Sequence, residues 1–171
     1  MESIKVDHNE RGHCKMKTVC FTGHRHIPFE EKEDLERILE QEILKQIDNG
    51  AKSFRTGGAL GFDTLAAIAV LKARKKHPDI RLELILPCPS QTQNWADTDI
   101  RCYEKIKKKA DEYKYVSEFY YDGVLHLRND QLVEGADVCI AFLKASCGGS
   151  AYTSARAIRL GLEFVNLADR L

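Results

Sequence analysis

Ser53-Phe-Arg-Thr-Gly-Gly-Ala-Leu-Gly-Phe-Asp63 carries the chain from a short strand-like run into an apolar helix through three glycines. Gly57, Gly58 and Gly61 have no Cβ, so the backbone can bend tightly there and come close to a ligand. The helix that begins near Asp63 leaves its first amide donors unpaired, and its positive end favours an anion. Strand, glycine loop and helix amino end in succession point to an α/β fold with a phosphate as the natural guest.

The same unit recurs on both sides of this stretch. Before it, Val19-Cys20-Phe21 reads as a strand and Thr22-Gly23-His24-Arg25 as the polar turn that follows. Leu35, Ile38, Leu39, Ile43 and Ile47 then fall at helical spacing over residues 30–49, with glutamates in the first turn and Gly50 after the end. After it, residues 64–76 read as a helix whose first half, 65–71, is apolar on every side and therefore expected to be buried. Residues 82–86 form a nearly all-apolar strand that runs into Pro87-Cys88-Pro89. A helix over 98–110, a weaker strand at 113–117, a short helix at 127–135, a strand at 138–143, a helix at 150–160 and a last strand at 164–167 complete the alternation. Such alternation implies an α/β sandwich with a mainly parallel sheet.

The 171 residues suit one domain with a real core. Residues 1–16, rich in charge and without apolar periodicity, read as a flexible lead-in to a domain at 17–171. Lys plus Arg number 26 and Asp plus Glu number 26, so the net charge is zero and any anion binding must be local. On that ground nucleic acid is not an expected partner. The basic run Lys105, Lys107, Lys108 and Lys109 reads as a solvated helix face. No apolar run approaches the roughly 18 residues that cross a bilayer, and the polar start does not resemble a signal peptide. A cytoplasmic protein with no membrane partner is the expectation. Six cysteines are then read as reduced, with Cys20, Cys88 and Cys139 in or beside apolar runs. His8, His13 and Cys14 match no complete four-ligand pattern, so no metal is expected, and nothing in the motifs calls for a cofactor.

In parallel sheets ligands bind beyond the carboxyl ends of the strands, where the strand order reverses. Four loops should therefore open on one edge: Thr22 to Arg25, Thr56 to Asp63, Gln91 to Trp95, and Cys147 to Thr153. Two glycine pairs that each lead into a helix can hold two phosphates, or a phosphate and a ribose, with Ser150 and Thr153 adding hydroxyls. Every member also has a plainer role. Asp63 can stabilise the first turn of its helix or accept from ribose hydroxyls. Arg25 and Arg128 can be surface charges or anion ligands. Trp95 can be a lid, a base-stacking surface or a core aromatic. His24 and His26 have no identifiable acid–base partner, and Cys147 has no assigned base. Neither the Walker A loop nor the Gly-x-Gly-x-x-Gly fingerprint is present.

The ordered set Cys20-Phe21-Thr22-Gly23-His24-Arg25, Thr56-Gly57-Gly58-Ala59-Leu60-Gly61-Phe62-Asp63, Ile85-Leu86-Pro87 with Gln93-Asn94-Trp95, Arg128-Asn129, and Gly148-Gly149-Ser150-Ala151-Tyr152-Thr153 resembles the YpsA-like family of the SLOG superfamily. That superfamily also contains the DNA-processing protein DprA and the LOG-type phosphoribohydrolases. The resemblance implies a three-layer Rossmann-like sandwich whose glycine loops hold a nucleotide or a derivative of one, such as a nucleoside phosphate or an ADP-ribose or NAD-like molecule. By resemblance a homodimer is also expected. The LOG-type Pro-Gly-Gly-x-Gly-Thr-x-x-Glu motif is not matched, since Ala155 or Arg156 stands where its acid would be. Asp63 is then the only candidate catalytic acid. Three functional readings follow: nucleotide binding or sensing, which is favoured; N-glycosidic or phosphoester hydrolysis; and DprA-like binding of single-stranded DNA.

Overall fold

The computed structural model describes residues 15–171. The expected lead-in and the His8, His13 and Cys14 group lie outside the described residues, except for Lys15 and Met16. Six strands form one sheet: β1 (Lys17–Gly23), β2 (Ala51–Thr56), β3 (Arg81–Leu86), β4 (Glu112–Tyr115), β5 (Val138–Phe142) and β6 (Glu163–Asn166). Their order is β4-β3-β2-β1-β5-β6 and every pair is parallel. Helices α1 (Phe29–Asp48), α2 (Phe62–Arg74), α3 (Asp97–Lys109), α4 (Val124–Val133) and α5 (Gly149–Arg159) connect them.

The two faces of this sheet differ in chemistry. Strand side chains alternate between faces, and register partners in parallel strands share a face. Val19, Phe21, Phe54, Leu82, Leu84, Ile140 and Phe142 therefore project to one side, where α1, α2 and α3 complete the main core. The other side carries Cys20, Arg55, Glu83, Ile85, Cys139 and Ala141, and the short helices α4 and α5 cover only part of it. On its uncovered part Arg55 pairs with Glu83 at 3.2 Å, and the Ser53 hydroxyl donates to the same carboxylate at 2.8 Å.

Several boundaries and burials depart from the sequence reading. Thr22 and Gly23 extend β1, paired with Ala141 and Phe142, where a turn was expected. Helix α4 starts at Val124 instead of 127, because Gly123 takes φ +102° and the Tyr121 carbonyl accepts from the Val124 amide. Residue 68 breaks the expectation that 65–71 is buried all round: Ile68 is 45% exposed and faces a groove between α2 and α3. Cys20, Cys88 and Cys139 are buried free thiols, and no described helix is long and apolar enough to cross a membrane.

Candidate functional site

The chain winds outward from β1 to β4, then crosses back to place β5 on the other side of β1. The strand order thus reverses between β1 and β5, and a cleft of about 430 Å³ opens at the carboxyl ends of these strands. It is lined by Thr22, Gly23, His24, Arg25, Ala59 and Asp63, and by Leu125, Arg128, Asn129 and Leu132 of α4. Cys147, Gly148, Gly149 and Ser150 close the end.

Backbone bonds hold the first two loops together. The His24 amide donates to the Phe142 carbonyl at 3.2 Å, and the Phe62 amide donates to the His24 carbonyl at 3.1 Å. Gly61 adopts φ +78°, and a Cβ there would lie 2.2 Å from the Arg25 carbonyl oxygen. Inside the glycine loop Thr56 Oγ1 accepts from the Gly58 amide at 3.2 Å, and Asp63 Oδ2 accepts from the Ala59 amide at 3.2 Å. The His24 ring pins a third loop: its Nε2 accepts from the Lys144 amide at 2.8 Å.

Arg128 is buried, and two parts of its fork are committed. Nη1 donates to the Gly57 carbonyl and Nε to Asn129 Oδ1 at 2.7 Å. A Cβ on Gly57 would meet Arg128 Nη1 at 2.5 Å and Asp63 Oδ2 at 3.0 Å, so glycine admits both charged groups beside one peptide. Burial pushes the Asp63 carboxyl above its usual range, against the lowering effect of the Arg128 charge. Burial likewise lowers Arg128, opposed by the charge of Asp63. With Arg25 also on the wall, the cleft is biased towards accepting negative charge.

Helix α5 adds to that bias. Its amino end is a glycine, Gly148 at φ +93°, with no side-chain cap. The amides of Gly149, Ser150 and Ala151 have no acceptor among the described residues, and Tyr152 is the first to bond, to the Gly148 carbonyl at 3.0 Å. Free first-turn amides at a cleft wall are suited to phosphate or carboxylate oxygens.

Of the residues singled out in the sequence, Thr22, Gly23, His24, Arg25, Asp63, Arg128, Asn129, Gly148, Gly149 and Ser150 line the cleft together. Thr56, Gly57, Gly58 and Gly61 shape the loop beneath it. Thr153 is buried and donates to the Gly149 carbonyl at 2.8 Å, which makes it a brace of the α5 turn. Gln93 and Trp95 are not brought to the cleft: Gln93 is exposed, and Trp95 packs edge-on to Tyr103 at 5.6 Å against the core. Gln91 reaches the loop instead, donating to the Gly57 carbonyl at 3.3 Å, because a 3-10 turn at Pro89–Thr92 redirects the chain. Leu125 and Leu132, which also line the cleft, were not singled out in the sequence, and the expected helix at 127–135 left Leu125 outside it. No group of three or more potential metal ligands occurs among the described residues.

Asp63→Asn is expected to change how stability responds to pH. A carboxyl raised on folding stabilises the fold while protonated, below its unfolded pKa, and that contribution is lost as pH rises through the raised folded pKa. Asparagine retains an acceptor for the Ala59 amide without titrating. Melting curves from pH 3 to pH 8 should therefore show the variant gaining on the wild type as pH rises; parallel curves would refute the buried-carboxyl account.

A six-stranded all-parallel sheet, helices on both faces and a glycine-lined crevice at the reversal of strand order define a Rossmann-like α/β protein. The chain belongs to the YpsA family, described as the YspA SLOG family, whose family model matches residues 19–160. A UPF0398 protein of Halalkalibacterium halodurans is 31% identical over 136 residues, covering 71% of this chain and 69% of that one. Among solved structures, DNA processing protein A (DprA) of Streptococcus pneumoniae superposes with a TM-score of 0.64 at 18% identity, over 88% of this chain and 50% of that one. DprA of Helicobacter pylori, a structure described for its single-stranded DNA binding mode, gives 0.62 at 21% identity, over 88% and 64%. This chain thus spans about half of the pneumococcal protein and under two thirds of the Helicobacter one.

That second neighbour overturns the expectation that nucleic acid is not a partner, which rested on zero net charge. Net charge is a sum, whereas a bound strand feels only the local arrangement of charge. Locally, a second cleft of about 380 Å³ shares Arg25 with the first and is lined by Lys32 as well as by Asp99.

Proposed function

We propose that the cleft binds a nucleotide-type ligand, with a phosphate at the amino end of α5 and beside Arg128, and the remainder of the ligand along Arg25. The observation that carries this reading is the buried Arg128 guanidinium, anchored on the Gly57 carbonyl, in one cleft with Arg25 and the uncapped amino end of α5. The cleft volume lies in the range of small-ligand sites. Asp63 is placed as an organiser of the glycine loop, since its carboxylate accepts from that loop's own amides. The hydrolytic reading has no comparable observation in its favour.

A second reading, single-stranded DNA, is favoured by the pair of clefts that meet at Arg25 and by the binding mode named for the Helicobacter neighbour. A strand several nucleotides long could place successive phosphates in both. Calorimetric titration with AMP, ADP-ribose, NAD and oligo-dT of increasing length separates the two. Saturable binding of a mononucleotide-sized ligand, with no gain from longer oligonucleotides, is expected for the first; affinity that climbs with strand length and falls steeply with salt belongs to the second. No heat with any of them would sink both readings.

A further inference from the structure

Away from the cleft, the groove between α2 and α3 separates charge in a way that a net-neutral chain does not require. Its volume is about 700 Å³, and its floor is aliphatic and thiol: Ile68 and Leu71 from α2, Cys102 and Ile106 from α3. Its rim carries Lys72, Arg74, Lys75, Lys105 and Lys109, and no carboxylate lines it. Lys72 is paired with Glu40 and Arg74 with Asp111, both outside the groove. Lys75, Lys105 and Lys109 have no acidic partner within salt-bridge distance among the described residues. Lys107 of the same basic run is engaged elsewhere, with Glu104 and the Tyr115 hydroxyl. The run expected to be a uniformly solvated face is therefore divided, and two of its members border an apolar trough.

We propose that this groove docks an acidic amphipathic helix of a partner protein, whose apolar stripe covers Ile68, Leu71, Cys102 and Ile106 while its carboxylates meet Lys75, Lys105 and Lys109. Complementarity selects this occupant. Three cations without an acidic partner, Lys75, Lys105 and Lys109, call for negative charge, and the half-exposed Ile68 above the buried Ile106 calls for apolar side chains; an acidic amphipathic helix supplies both in the helix-in-groove mode of recognition. Single-stranded nucleic acid would want aromatic rings to stack its bases, and the floor has none. An anionic bilayer would want apolar side chains that project from the surface, whereas these lie between two helices. The 13 residues of α3 span about 20 Å at 1.5 Å per residue, so the occupant should be roughly three to four turns long. This groove shares no lining residue with the nucleotide cleft and only Cys102 with the second cleft beside it.

The test uses the full chain and a fluorescein-labelled 15-residue peptide of Leu and Glu, with Leu at helical i, i+3, i+4 and i+7 spacing. Fluorescence anisotropy should give an affinity at least tenfold tighter than for a peptide of the same composition in scrambled order. Lys105→Glu combined with Lys109→Glu should weaken binding at least tenfold, and Ile68→Ser, at a half-exposed position, several-fold. Both variants should keep the wild-type melting temperature. As a measurement without mutation, amide chemical shifts in the wild type should move on the groove sides of α2 and α3. Equal affinity for the scrambled peptide would overturn the proposal, as would shifts confined to other elements. So would displacement of the peptide by oligo-dT or phosphatidylglycerol vesicles that bind this face more tightly.

Discussion

Gly61→Ala is expected to cost upwards of about 3 kcal/mol, near the top of the range for single substitutions. Two effects add. Gly61 sits at φ +78° and ψ −119°, a conformation that costs an L-residue on the order of 1–3 kcal/mol. Its new methyl would also stand 2.2 Å from the Arg25 carbonyl oxygen and 2.6 Å from that of His24, both backbone atoms that cannot swing aside. For a domain of this size each kcal/mol lowers the melting temperature by about 2–4 °C, so a fall of roughly 6–12 °C should be measured by calorimetry. Gly50→Ala is the control. Gly50 also has positive φ, +90°, but a Cβ there meets nothing within 4 Å, so only about 1 kcal/mol of backbone strain should appear. Equal losses at the two positions would mean that the loops after β1 and β2 do not press on each other as described. If the loss at Gly61 is larger, the wall of the cleft is set by contact between two backbones.

Arg128→Ala should cost a similar amount, and its cost should depend on pH. The substitution removes the bonds to the Gly57 carbonyl and Asn129 and leaves Asp63 buried without the cation that most favours its ionised form. Leaving two buried acceptors, the Gly57 carbonyl and Asn129 Oδ1, without their donor costs roughly 1–3 kcal/mol each. Asp63 can relieve the absence of its cation by keeping its proton, so the loss should be smaller in acid and grow towards neutral pH. Arg128→Lys should restore much of the pH response but not the full stability, because an ammonium cannot reproduce the planar fork. Denaturant midpoints at acidic and neutral pH distinguish these contributions; a pH-independent cost for Arg128→Ala would mean that the two residues do not sense each other.

The alternation of elements was legible in the sequence because each strand is a short apolar run and each helix repeats at 3.6 residues. The loops that meet at the cleft were legible as well, since a parallel sheet collects every strand-to-helix turn on one edge. What could not be read was contact across long separations. Arg128 lies 71 residues from the Gly57 carbonyl that it caps, and no local pattern distinguishes it from a surface arginine. The choice between Gln91 and Gln93 depends on a single 3-10 turn. Ile68 sits in an apolar run that predicts burial, yet the spacing between α2 and α3 leaves it open. Charge neutrality misled for a related reason, because a count of residues contains no geometry.

The reversal of strand order has a consequence for how the molecule comes into being. β1 meets β5 through Val19 and Val138, and the Thr18 amide bonds to Asp137, 119 residues further along the chain. This seam closes a far longer loop than any pairing among β1, β2, β3 and β4, each of which joins neighbours in sequence. The crevice between Arg25 and Gly148 therefore has no counterpart in a nascent chain that has formed only its first four strands, and a ligand held there would recognise finished molecules alone.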